Sequence, residues 1–326
     1  MKVTVCIPVY GVEKYIERCA RSLFEQTLKE DIEFIFVDDC TPDKSIEILL
    51  KLLEEYPERK NQVKLLRHEK NKGLIGARNS AVEAASGTYV IHCDSDDWVE
   101  KDMYARLLET AEREDADMVC TSCALEYDDA PAVNIKLPPQ GEGFEQAFMD
   151  CNLYWGLWSK LVRTEIARDS RLYAPEHLCY SEDLLRVAQM LALTKKVSVV
   201  PAPLYHYYQG NRNSYSKVFK RAFLDQQLEI VRWLEENQTR FSLLSIKGDI
   251  LFHGIVRGLW SGDEIRELWK SEHRKIVCYR GLHWVKRCVV LSAFISYPLT
   301  VRLCRQLFAK RYGLKRDQSV SSGGKE

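Results

Sequence analysis

Three carboxylates stand together at Asp94-Ser95-Asp96-Asp97, directly after the apolar run Thr88-Tyr89-Val90-Ile91-His92-Cys93. A run of that kind reads as a buried strand, so the acidic group emerges where a strand ends. In an open α/β sheet the carboxyl ends of the strands are where ligands bind. Asp94 and Asp96 can offer hard oxygen ligands to one divalent cation, Mg²⁺ or Mn²⁺. A cation with few protein ligands keeps positions open for phosphate oxygens of a substrate. The ordinary alternative is an acidic turn that caps a helix, because Asp is common in both settings.

Other strand ends carry polar residues too. The first strand leads into Pro8-Val9-Tyr10-Gly11-Val12-Glu13, the second ends in Asp38-Asp39, and the third runs toward Asn71-Lys72-Gly73. Asp38 and Asp39 suit the N–H of a base or a ribose hydroxyl, or could cap the helix near Lys44. Arg78 lies just inside a helix entered at Gly73, within reach of a phosphate or of a neighbouring Asp. No G-x-G-x-x-G follows the first strand and no Walker-type loop is present. A bound diphosphate would be neutralised by metal and basic side chains instead.

The elements that position these residues alternate. Strands are expected at Thr4–Val9, Glu33–Val37, Val63–Arg67, Thr88–Cys93 and Asp117–Leu125. Helices are expected near Val12–Gln26, Lys44–Glu55, Leu74–Ala85 and Lys101–Glu114. This pattern predicts an α/β fold with a mixed, mostly parallel sheet flanked by helices. Leu74, Ala77, Ala81 and Ala85 form a small-residue face suited to packing on that sheet. Tyr127–Gly143 reads as an exposed excursion, and helices alone follow from about Lys217.

The set Pro8-Val9-Tyr10, Glu13-Lys14-Tyr15, Val37-Asp38-Asp39, Asn71-Lys72-Gly73, Ala77-Arg78-Asn79 and Asp94-Ser95-Asp96-Asp97 resembles family 2 glycosyltransferases of the GT-A fold. Order and spacing match over the first 125 residues or so. The resemblance implies a nucleotide-sugar donor, most often a UDP-sugar, and an inverting transfer. It implies that Pro8, Tyr10, Glu13, Asp39, Asn71 and Arg78 surround the nucleotide, with Asp38, Gly73 and Ser95 beside them. Asp94 and Asp96 would hold ribose and metal. Gly11, Cys40-Thr41 and Ala81 depart from the family's usual Asn, Gly-Ser and Gly.

Transfer needs a base for the acceptor hydroxyl. Tyr180-Ser181-Glu182-Asp183 resembles the family's Glu-Asp catalytic motif, with Asp183 the first choice and Glu182 the reserve. A helix N-terminus lowers a carboxylate's pKa, so base strength there must come from burial or from the acidic cluster. Trp158-Ser159-Lys160-Leu161 resembles the W-x-K-L stretch of similar polysaccharide-assembly enzymes. Leu204-Tyr205-His206-Tyr207-Tyr208 with Asn213-Ser214 resembles their tyrosine-rich strand and following loop. Asp97, Trp158, Lys160 and His206 are thereby set on the acceptor side, although packing roles weigh at least as heavily for Trp158 and His206.

With 326 residues, 46% hydrophobic and 29% charged, the chain has an ordinary globular composition. Forty-seven basic residues balance 47 acidic ones, which gives no global pull toward nucleic acid. The expected division is a catalytic region 1–216, with a donor half to about 125 and an acceptor half 126–216. A helical extension 217–318 and a disordered tail 319–326 would follow.

The chain opens on a strand without a signal-peptide pattern, so its 11 cysteines are expected as thiols in a reducing cytoplasm. Cys120 and Cys123 read as packed thiols more than as a zinc pair. The longest apolar run, Val289–Val301, is broken by Ser292, Ser296 and Pro298. Arg274–Arg316 is distinctly basic, including Lys315 and Arg316. The segment 284–312 suits equally a helix lying on the inner face of the plasma membrane and one packed on the protein's own core.

The reading is thus a metal-dependent inverting glycosyltransferase acting on a saccharide or lipid-linked saccharide acceptor. Surface polysaccharide or glycolipid assembly is the context that the resemblance implies. The alternatives are a catalytically silent nucleotide-sugar-binding scaffold and a sugar nucleotidyltransferase, which would want a glycine-rich basic loop after the first strand.

Overall fold

A computed structural model describes residues 1–141, 143–151, 154–169, 177–178, 180–211, 221–237, 240–270 and 272–312. Asn213, Ser214, Lys217, Lys315, Arg316 and the tail 319–326 lie outside the described residues. The chain divides into two compact units, Met1–Val218 and Phe219–Glu326.

In the first unit the strands are β1 (Val3–Val9), β2 (Ile32–Asp38), β3 (Val63–Arg67), β4 (Tyr89–His92), β5 (Trp98–Val99), β6 (Met118–Glu126), β7 (Val133–Asn134), β8 (Lys160–Arg163) and β9 (Val197–Tyr208). They form one sheet in the order β3-β2-β1-β4-β8-β6-β9-β5, with β7 paired to β6. The first four are parallel to one another. β8 then runs antiparallel to both β4 and β6, and β9 lies parallel to β6. The mixed sheet is therefore parallel where strands and helices alternate, and changes character after β6. The two-residue β5 and β7 follow β4 and β6 through loops with no helix between, as antiparallel additions allow.

β1 is buried along its whole length and β2 up to Val37, as expected of central parallel strands covered on both faces. Val3, Val5, Ile7 and Val9 face one way. They pack with Ile16, Leu23 and Phe24 of α1 (Ile16–Phe24), Leu49 and Leu52 of α2 (Ser45–Leu53), and buried residues further along the chain. Cys6, Ile35, Val37 and Val90 face the other way, against Ala77, Ala81 and Ala85 of and just after α3 (Gly73–Ala84). That is the small-residue stripe expected from the sequence, except that Leu74 turns toward a hollow. The helix α4 (Met103–Glu114) buries Met103, Tyr104, Leu107 and Ala111 on the α1 side. The short helices α5 (Phe144–Met149) and α6 (Thr164–Ala167) follow, then α7 (Glu182–Leu193).

α1 begins four residues later than the sequence suggested. Residues 12–15 instead form a turn that the Asp43 and Ser45 side chains pin through the Glu13 and Val12 amides. β9 is longer than the tyrosine-rich core suggested, because a register shift opposite Thr121–Cys123 absorbs the Pro201 and Pro203 region.

The second unit holds α8 (Arg221–Glu236), α9 (Leu244–Arg257), α10 (Gly262–Trp269), α11 (His273–Cys278), α12 (Trp284–Ile295) and α13 (Tyr297–Tyr312). α9 is its centre, with α8, α11, α12 and α13 packed on it. Its apolar residues run around the whole helix (Ile246, Ile250, Leu251, Phe252, Ile255, Val256), as burial on all sides requires.

Candidate active site

β1 sends its chain to β2 on one side and has β4 on the other, so a crevice opens beyond their carboxyl ends. A hollow of about 360 Å³ fills that crevice. Pro8, Tyr10, Asp39, Asn71, Gly73, Asp94, Ser95 and Asp96 of the expected donor set line it.

Local bonds explain how four loops keep their shape. Ser95 Oγ donates to the Pro8 carbonyl at 2.7 Å, clamping the Asp94 loop onto the end of β1. Asp39 Oδ1 lies 2.6 Å from His68 Nδ1 and accepts the Lys72 amide at 2.8 Å. Asn71 Nδ2 donates to the Asp39 carbonyl, and its Oδ1 accepts the Gly73 amide. Gly73 adopts φ +73°, a left-handed conformation that lets the chain turn straight into α3. Gly11 has φ +68° with open space around it. Asn, the family's usual residue there, tolerates the same region, so that departure is conformationally mild.

Three of the expected donor residues, Glu13, Asp38 and Arg78, do not line the hollow. Glu13 accepts the Lys44 amide at 3.2 Å, at the start of α2. Asp38 accepts the Thr41 amide at 2.9 Å in a local turn. Asp38 is a short side chain beside a free backbone amide and satisfies it first, as Asx-turns do.

Arg78 is 5% exposed and engages carboxylates. Its Nη2 donates to Asp94 Oδ1 at 2.9 Å, and its Nη1 to Glu182 Oε1 at 2.8 Å and Asp183 Oδ1 at 2.5 Å. One guanidinium thus joins the end of β4 to the first turn of α7. Asp183 is not among the residues lining the hollow, yet it shares this cation with Asp94, which is. Burial raises the pKa of Asp183, and Asp94's charge raises it further against the pull of Arg78. Burial and then the Asp183 charge raise Glu182 as well. The basicity that a helix N-terminus would remove is restored in this way. Ser181 takes φ +59° at the N-cap, and its side chain does not cap α7.

Asp96 accepts from Asn211 Nδ2 at 2.7 Å, and its backbone carbonyl accepts from Arg18 Nη2 at 3.0 Å. Burial raises its pKa, and the Asp94 charge adds to this against the Asn211 bond. Two carboxylates on the wall of one hollow offer hard oxygens of the kind a divalent cation takes, while no group of three or more His, Cys, Asp or Glu side chains that could hold a metal ion lies among the described residues.

Of the residues set on the acceptor side, Asp97, Trp158 and Lys160 are buried and His206 is half-buried. Asp97 is fully buried, accepting the Tyr205 hydroxyl at 2.6 Å and the Tyr208 amide at 2.8 Å. Trp158 stacks on Tyr205 with ring centres 4.3 Å apart. Lys160 Nζ donates to the Tyr154 and Gly156 carbonyls at 2.6 and 2.5 Å. Burial lowers its pKa to about 8, and its charge acts on Asp183 from within the protein. His206 stacks on Trp98 and sits between Glu126 and Glu100 at 2.7 and 3.0 Å. None of the four lines the hollow, and each is engaged by other groups of the protein.

Arg18, His68, Tyr205 and Asn211 were not singled out from sequence as site residues. Tyr205 accepts the Asp94 amide at 3.1 Å as well as bonding Asp97. The one available signal was the repeated tyrosine of β9, whose alternation sends Tyr205 inward. All ten described cysteines are free, and Cys120 and Cys123 are buried.

Residues 4–153 match the profile described as glycosyl transferase family 2. The chain belongs to that family. It is 33% identical over 238 residues to the uncharacterized glycosyltransferase EpsJ of Bacillus subtilis, spanning 70% of this chain and 66% of EpsJ. To the poly(ribitol-phosphate) beta-N-acetylglucosaminyltransferase TarS of Staphylococcus aureus it is 29% identical over 214 residues, 64% of this chain and 35% of TarS. The matched region is thus just under two thirds of EpsJ and about one third of TarS. Among solved structures, S. aureus TarS 1–349 in complex with UDP-GlcNAc superposes with a TM-score of 0.67 at 21% identity, covering 96% of this chain and 93% of that one. A mannosyltransferase from Pyrobaculum calidifontis in complex with GDP-Man and Mn²⁺ gives 0.53 at 14% identity, covering 96% and 82%. These likenesses establish the GT-A fold within the family.

Proposed function

We propose that this protein transfers a sugar from a nucleotide-sugar, a UDP-sugar before others, to an acceptor hydroxyl with inversion, in the assembly of a surface polysaccharide or glycolipid. The observation that carries the reading is the Asp94–Arg78–Asp183 bridge at the edge of the hollow. It ties a carboxylate on the donor wall to a carboxylate whose pKa burial has raised toward the range of a working base. TarS, whose structures include one with UDP-GlcNAc, supports the choice of donor.

In this reading Asp39, Asn71 and Tyr10 receive the nucleoside, and the Asp94 loop faces the diphosphate. Asp96, with Asp94, would hold Mg²⁺ or Mn²⁺, which supplies charge neutralisation for the diphosphate. Asp183 takes the proton from the acceptor hydroxyl while that oxygen bonds to the anomeric carbon. The bond from this carbon to the diphosphate oxygen breaks, and the nucleoside diphosphate leaves with the electron pair. Attack opposite the leaving group inverts the centre. Glu182, also on Arg78, fixes the guanidinium and stands in reserve as base.

Thermal shift with UDP- and GDP-sugars, with and without Mn²⁺, tests this. Asp96→Ala should remove the metal-dependent part of the shift. Asp183→Asn should keep that shift and lower turnover by about 10²-fold or more. An unaltered metal dependence in the first variant, or full turnover in the second, would overturn the assignment.

A further inference from the structure

The helices α12 and α13 pack on α9 and on each other through Val289, Val290, Ala293, Val301 and Cys304. Their opposite faces should then be polar. They are not. Trp284, Leu291 and Ile295 on α12, and Leu299, Leu303 and Leu307 on α13, are 46% to 78% exposed. The spacings of seven and four residues, then four and four, place each trio on one side of its helix. Both helices are therefore apolar inside and outside, and scattered surface leucines do not account for a periodic outer face.

Charge along this segment is of one sign. Between His273 and Tyr312 the sequence has nine Lys or Arg and no Asp or Glu. Arg302 is exposed within the leucine row, and Arg274, Lys275 and Arg280 are exposed on and after α11, which packs against α12. Lys286 is paired instead with Asp249. No helix among the described residues is long and apolar enough to cross a membrane.

We infer that the outer faces of α12 and α13 form a docking surface for an anionic lipid bilayer, lying in the headgroup boundary with the leucines down. An apolar row on a helical segment whose own charges are all basic is what acyl chains beneath acidic headgroups complement. A second copy of this chain is a poorer match, because it would bring two basic surfaces of the same sign together. The inference is independent of the donor site and is read without any donor.

The test is flotation of the full chain with vesicles of phosphatidylcholine alone and of phosphatidylcholine mixed with phosphatidylglycerol. The chain should float with the acidic vesicles and not with the neutral ones. Ile295→Ser combined with Leu307→Ser should weaken that binding by about tenfold or more. Both side chains are over three-quarters exposed, so the thermal midpoint should hold. Arg302→Gln, at another exposed position, should weaken binding severalfold and serves if the double variant misfolds. No binding to acidic vesicles, or equal binding to neutral ones, would overturn the inference. So would a dimer by light scattering that the double variant dissociates.

Discussion

Arg78 offers the Nη1 and Nη2 nitrogens to Asp94, Glu182 and Asp183, so the three carboxylates cannot be placed independently. Removing the cation would leave one buried and two half-buried carboxylates uncompensated, a costly defect. This explains why a residue that could have met a phosphate lies 5% exposed among carboxylates. A smaller strain sits at Cys40, whose φ of +57° is left-handed although the residue is not glycine. Its Sγ donates to the His68 carbonyl at 3.0 Å, a weak bond against that conformational cost. Cys40→Gly should therefore stabilise the protein by up to about 1 kcal/mol, seen as a higher urea midpoint with unchanged slope. A lower midpoint would show that the thiol contact outweighs the backbone strain.

At the scale of elements, Glu33 ties the edge of the parallel layer together. It sits on β2, 1% exposed, and accepts from Thr4 on β1 and from the Ser86 amide and hydroxyl after α3, while Lys64 on β3 pairs with it. Burial alone would raise its pKa, but the Lys64, Thr4 and Ser86 bonds outweigh it and bring the value from 4.5 to about 2. The folded pKa lies below the unfolded one, so the contribution to stability is complete above about pH 4.5. It is lost as pH falls through about 2. Urea midpoints of the wild type should drop between those limits more steeply than those of Glu33→Gln, which should be about 1–3 kcal/mol less stable near neutrality. Parallel pH profiles would remove Glu33 from this role.

For the whole molecule, a net charge of zero conceals segregation, since 273–312 carries all its formal charge with one sign. Association through that region should weaken strongly as salt shortens the Debye length from about 30 Å at 0.01 M to about 8 Å at 0.15 M. Vesicle flotation across that range checks this. Salt-independent binding would mean that the leucine row acts without the basic residues of its segment.

By itself the sequence determined the four parallel strands, the carboxylates at their ends and the small-residue face of α3. These follow from local periodicity and from the rule that strand ends meet ligands, and neither needs a distant partner. It also placed Asp39, Asn71, Gly73, Asp94 and Asp96, because each belongs to a loop continuous with its own strand or helix. Only the tertiary structure decided what Arg78, Asp97, Trp158 and Lys160 touch. Arg78 meets Glu182 across 104 positions and Asp97 meets Tyr205 across 108. Composition and spacing report that a side chain is buried, but not which long-range neighbour satisfies it. The same holds for α12 and α13: an apolar pattern on two faces is readable in one dimension, and which face α9 covers is settled only by packing.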